Sequence, residues 1–126
     1  MALMCWTWFV KDKYPELAWL HHIPNGGARS PVTAARLKQM GVRRGIPDLF
    51  LPVPRGQWHG LYIEMKKPAL MPKRERKPGA KPAGASEEQW EFGQFAMANG
   101  YGWTVCYTWE QARDAIVAYL DWKGQQ

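Results

Sequence analysis

Residues 61–107 constrain the fold more tightly than any other stretch. Leu61-Tyr62-Ile63-Glu64-Met65-Lys66 reads as a strand, and the segment from Gly102 to Tyr107 reads as another. Between them, Ser86-Glu87-Glu88-Gln89 carries a capping-box pattern. A helix should run from there to Asn99, with Gly100 as its stop. Strand, helix, strand is a crossover, so the two strands should be parallel and the connection right-handed. Upstream, Asp48-Leu49-Phe50-Leu51 reads as a buried strand ended by Pro52 and Pro54. A turn from Gly56 to Gly60 then makes an antiparallel hairpin with the strand at 61–66. The expectation is an α/β fold, a small mixed β-sheet flanked by helices.

The other elements follow from punctuation. Residues 3–12 read as a helix ending before Pro15, and residues 19–24 as a short strand stopped by Pro24-Asn25-Gly26-Gly27. Ser30-Pro31 is an N-cap with proline at the first helical position, opening a helix that Gly41 closes. Thr108-Trp109-Glu110-Gln111 repeats the capping-box pattern and opens a last helix to about Trp122. At 126 residues the chain has room for one domain, 1–126, and its 46% hydrophobic content excludes disorder throughout. No apolar run approaches the roughly 18 residues of a membrane span. The apolar N-terminus lacks the basic region and cleavage site of a signal peptide. Two isolated cysteines, Cys5 and Cys106, make no disulfide framework, so a reducing, cytoplasmic compartment is expected.

The basic excess is local. Within 65–84, seven basic residues (Lys66, Lys67, Lys73, Arg74, Arg76, Lys77, Lys81) face one acid, Glu75, which accounts for the whole net charge of +6. Residues 17–47 add Arg29, Arg36, Lys38, Arg43 and Arg44 with no acid. Two basic zones on a small protein suit a polyanion, most often nucleic acid; a solvated charge run is the plainer alternative. Residues 67–85 also hold Pro68, Pro72, Pro78 and Pro82, and read as a flexible basic loop.

Glu64 and Lys66 lie two residues apart on a strand and so emerge on one face. Asp48 opens the partner strand, and the hairpin can bring its carboxylate beside Glu64. Two converging carboxylates repel and favour a bound cation such as Mg²⁺ or Mn²⁺. A neighbouring lysine can orient a water nucleophile or stabilise charge on a phosphoryl transition state.

Pro47-Asp48 with Glu64-x-Lys66 resembles the PD-(D/E)XK signature of restriction-endonuclease-like nucleases. Pro24-Asn25-Gly26-Gly27, Gly41-Val42-Arg43-Arg44-Gly45-Ile46-Pro47-Asp48, Gly60-Leu61-Tyr62-Ile63-Glu64-Met65-Lys66, and Ser86 with Gln89 make roughly residues 14–120 similar to the VRR-NUC family, the virus-type replication and repair nucleases. The resemblance implies a divalent-metal-dependent DNA endonuclease of DNA repair, in a bacterial or phage-infected cell. Asp48, Glu64 and the Met65 carbonyl would be metal ligands, and Lys66 the catalytic lysine. Gln89 would support the site, unless it is only the reciprocal capping-box residue. Asn25, in the family's turn before the core, would contact DNA unless it serves only the tight turn, and Arg43, Arg44, Lys67, Lys73, Arg74, Arg76 and Lys77 would contact DNA. Stand-alone members of the family are homodimers acting on branched DNA such as four-way junctions.

One departure bears on the site. The family places a glutamate on the first helix, whereas residues 1–13 hold only Asp12, near the wrong end, and Glu16 follows Pro15. Either the start is truncated, or the site works with fewer carboxylates and a weaker metal cage. His21, His22 and His59 lack ligand spacing, no nucleotide-cofactor motif is present, and no organic cofactor is expected. Trp58, beside Arg55 and Gln57 in the hairpin loop, is the aromatic best placed to touch DNA. The rival reading is a non-catalytic DNA-binding module that keeps the nuclease fold; an interaction protein would leave the hairpin motif unexplained.

Overall fold

The computed structural model describes residues 2–24 and 30–123. Four strands, β1 (His21–His22), β2 (Leu49–Leu51), β3 (Leu61–Met65) and β4 (Gly102–Cys106), form a sheet in the order β1-β2-β3-β4. β1 and β3 each pair antiparallel with β2, and β4 pairs parallel with β3, giving the mixed sheet expected. Helices α1 (Ala2–Phe9), α2 (Pro31–Gln39), α3 (Glu87–Ala98) and α4 (Trp109–Leu120) surround it.

The register sorts the sheet into two faces. Leu49, Leu51, Leu61, Ile63 and Cys106 share one face and are buried with Leu3 of α1 and Ala112, Ile116 and Leu120 of α4. This is the hydrophobic core. Burial pushes the Cys106 thiol up to about 11, so it packs there as an apolar residue. Phe50, Tyr62, Glu64, Trp103 and Val105 share the opposite face, beneath α3. That face is aromatic: Tyr62 meets Phe92 edge-on at 5.1 Å and stacks obliquely on Phe50 at 4.4 Å.

The crossover is closed by two local devices. The Ser86 side chain accepts from the Gln89 N–H at 3.1 Å, and the Gln89 side chain accepts from the Ser86 N–H at 2.8 Å. Gly93 then lets the helix lie on the sheet, because a Cβ there would stand 2.5 Å from the Trp103 indole.

Several expectations need correcting. Residues 3–12 are not one helix; α1 ends at Phe9 and turns follow. The stretch 19–24 yields a strand of two residues, because Pro15–Trp19 winds into a 3-10 turn that consumes its start. At α4 the capping box is only half formed. Thr108 accepts from the Gln111 N–H, but the Gln111 carboxamide accepts from Tyr107 instead of from the cap. The basic stretch 67–85 contains a 3-10 turn, Pro68–Leu70, and is anchored by buried Pro82 and Ala85 and by the Tyr107 hydroxyl donating to the Ala83 carbonyl at 2.8 Å.

Candidate active site

Asp48 and Glu64 meet at the end of the β2–β3 hairpin away from its turn. Asp48 immediately precedes β2, and its Oδ2 accepts from the Met65 N–H at 2.7 Å. In a strand, the N–H and C=O of one residue point to the same side. The Met65 carbonyl therefore faces the Asp48 side of β3, while Lys66 turns its N–H to the Cys106 carbonyl of β4.

Glu64 is a charged group in a place that disfavours charge. It is 3% exposed, and its Oε2 has no hydrogen-bond partner. Its Oε1 accepts from Gln89 Nε2 at 3.1 Å. Burial first, then the neighbouring Asp48 carboxyl, push the Glu64 pKa up to about 8, with Lys66 pulling the other way. The pair is close enough to share a proton, and a divalent cation placed there would relieve both burial and repulsion. Two carboxylates, a buried oxygen lacking a donor and a main-chain carbonyl are hard oxygen ligands, so the residues fit Mg²⁺ or Mn²⁺. Among the described residues no cluster of three or more His, Cys, Asp or Glu side chains accompanies them. The remaining coordination positions of such an ion would fall to water and substrate oxygens.

Gln89 resolves its two readings by satisfying both. Its carboxamide oxygen caps α3 and its nitrogen holds Glu64. The start of the helix is thereby tied to the acid.

The structure gathers Asp48, Glu64, Met65, Lys66 and Gln89 in one place. Arg43 and Arg44 are exposed on the turn leading to Asp48. Gly45, at φ +87°, brings that turn against α3; a Cβ there would stand 2.5 Å from the Glu88 carbonyl oxygen. Lys67, Lys73, Arg74 and Lys77 are exposed along the basic loop, and Arg76 donates to the Ala80 carbonyl. Asn25 lies outside the described residues. Trp58 is not an exposed reader of DNA: it is half-buried against the core at the hairpin turn. Glu16 is engaged by Arg55 at 2.5 Å, and Arg55 belongs to that same turn, so Glu16 does not complete the carboxylate pair. Helix α1 contains no acid. Sequence reasoning missed Trp90 and Trp103, which pack together beside the site at 6.0 Å; the signal was Gly93, small where a helix crosses a bulky strand residue.

No family model and no curated protein matches the chain. Among solved structures, a VRR_NUC domain protein matches 94% of this chain and 82% of its own, with a TM-score of 0.67 and 28% sequence identity. The VRR-NUC resemblance holds. The mixed sheet with its flanking helices is the architecture of a VRR-NUC-like domain.

Proposed function

We propose that this VRR-NUC-like protein is a divalent-metal-dependent deoxyribonuclease that hydrolyses phosphodiester bonds, with branched DNA as its preferred substrate. The observation that carries the reading is the buried Glu64 carboxyl, facing Asp48 with one oxygen lacking any donor. Without an ion this buried carboxyl keeps its proton; a hard cation between Asp48 and Glu64 would replace that proton and use the open oxygen.

Asp48, Glu64 and the Met65 carbonyl would hold the ion. A divalent ion there supplies Lewis-acid charge for the phosphoryl oxygens and acidifies water. Gln89 fixes the Glu64 carboxylate, and the Met65 N–H fixes that of Asp48, so neither must reorganise as substrate arrives. Lys66, one strand pleat beyond Glu64, positions the attacking water or stabilises charge building on the phosphoryl group. Arg43, Arg44 and the exposed cations of the basic loop hold the DNA backbone. A homodimer in the cytoplasm would present two such sites to a two-fold symmetric junction.

Nicking of plasmid and cutting of a synthetic four-way junction, with and without Mg²⁺, test the proposal. Asp48→Asn and Glu64→Gln should abolish cutting and keep DNA binding in Ca²⁺. Full activity in either variant would overturn the site. The non-catalytic DNA-binding alternative predicts metal-independent binding and no cutting by the parent protein.

A further inference from the structure

The carboxylate pair occupies only part of the aromatic face. Beside it, a cavity of about 350 Å³ opens between β4, α3 and the basic loop. Trp90 of α3, Trp103 and Val105 of β4, Tyr107, and Arg76 and Pro82 of the loop line it. Val105 is the direct partner of Glu64 across the β3–β4 pairing. Neighbouring strands lie about 4.8 Å apart, so this wall begins one strand from the proposed metal ligand. The same turn of α3 serves both places: Gln89 holds Glu64 and Trp90 walls the cavity.

The lining has a consistent chemistry. Two indoles meet edge-on at 6.0 Å. Arg76 supplies a cation, and none of the lining residues is acidic. The loop is fastened over the space by the bond from Tyr107 to Ala83. Indole faces stack on flat rings and a guanidinium only donates, so the complement is flat, aromatic and carries acceptors. The volume is at the lower end of the ~300–1,000 Å³ usual for ligand pockets, suited to one nucleoside and too small for a base pair in its stack.

We infer that this cavity takes a single unpaired nucleobase of the strand whose phosphodiester lies at Asp48 and Glu64, an inference that rests on the nuclease reading. Aromatic walls with a nearby arginine are how proteins hold bases of single strands. A paired base must leave its stack to enter, whereas a base at a branch or flap is already free. Selection of branched DNA then arises at this cavity, from the cost of extracting a base.

The test compares affinities in EDTA, where nothing is cut. The probes are a blunt duplex, the same duplex with a short unpaired flap, and that flap duplex with abasic sites in place of the flap bases. Trp90→Leu removes an aromatic wall, and Gln94→Trp fills the cavity from the exposed side of α3. Each should weaken flap binding roughly ten-fold and leave blunt-duplex binding unchanged, while Trp90→Phe keeps the preference. The parent should bind the abasic flap as weakly as the variants bind the normal one. Equal losses on both DNAs, or tight binding of the abasic flap by the parent, would overturn the inference. If Trp90→Leu fails to fold, Gln94→Trp and the abasic probe decide. A parent protein that cuts no DNA overturns the nuclease reading alone, because no cleavage enters these affinities.

Discussion

Glu64 sits where an ordinary protein would place a leucine, on an otherwise apolar strand and under a helix. Its pKa of about 8 lies well above the 4.5 of an exposed glutamate, so the metal-free folded state keeps a proton that the unfolded chain gives up. The sign follows from linkage: the native state binds more protons between these values, so this group's contribution to stability is complete below about pH 4.5 and is lost as pH rises through about 8. Without metal, the melting temperature should fall between pH 5 and pH 8. Glu64→Gln keeps an oxygen facing Gln89 but has no proton to lose, so it should melt above the parent at pH 8, with the gap closing near pH 5. Added Ca²⁺ should stabilise the parent more at pH 8 than at pH 5, and Glu64→Gln little at either. Thermal melts of both proteins at the two pH values check this; a parent whose stability rises with pH would refute the assignment.

Helix α3 couples stability to chemistry through one side chain. Ser86→Ala removes the cap oxygen and should cost about 1 kcal/mol in stability, with a modest loss of rate. Gln89→Ala removes both the reciprocal bond to Ser86 and the bond to Glu64, so a similar stability loss should come with a much larger fall in kcat. Urea titration and single-turnover cleavage separate the two effects. The starts of these helices were legible in sequence because caps are local: Ser30, Ser86 and Thr108 each accept from the N–H three residues on. The Asp48–Glu64 meeting was legible because strand periodicity and a short hairpin leave little freedom. Trp58 was misread for the opposite reason. Its neighbours Arg55 and Gln57 look like a DNA-facing loop, yet what buries Trp58 comes from residues distant in the chain, which no local pattern reports. Glu16 likewise finds Arg55, 39 residues away, at the hairpin turn.

At the scale of the molecule, charge and shape divide the labour. The apolar face of the sheet holds the fold together, and the aromatic face carries the acids, with the basic loop above it. Phosphate contacts release counterions, so affinity for duplex DNA should fall with salt at a slope of about −0.9 per neutralised phosphate. Replacing Lys73, Arg74, Arg76 and Lys77 by Ala should flatten that slope by a few units and leave the rate on saturating DNA nearly intact. An unchanged slope in a salt series of binding measurements would make the loop a solubilising run.

The tie between Gln89 and Glu64 spans 25 residues and closes only when α3 lies down on the strands. A growing or partly unfolded chain already displays its cations once the segment to Lys81 exists, and on the proposed reading would adhere to DNA before its shape is complete. It cannot hold Glu64 in register until the crossover has docked. On the proposed nuclease reading, cutting would be the last property the molecule acquires as it folds and the first it loses as it loosens. Damaged copies would then be sticky and not sharp.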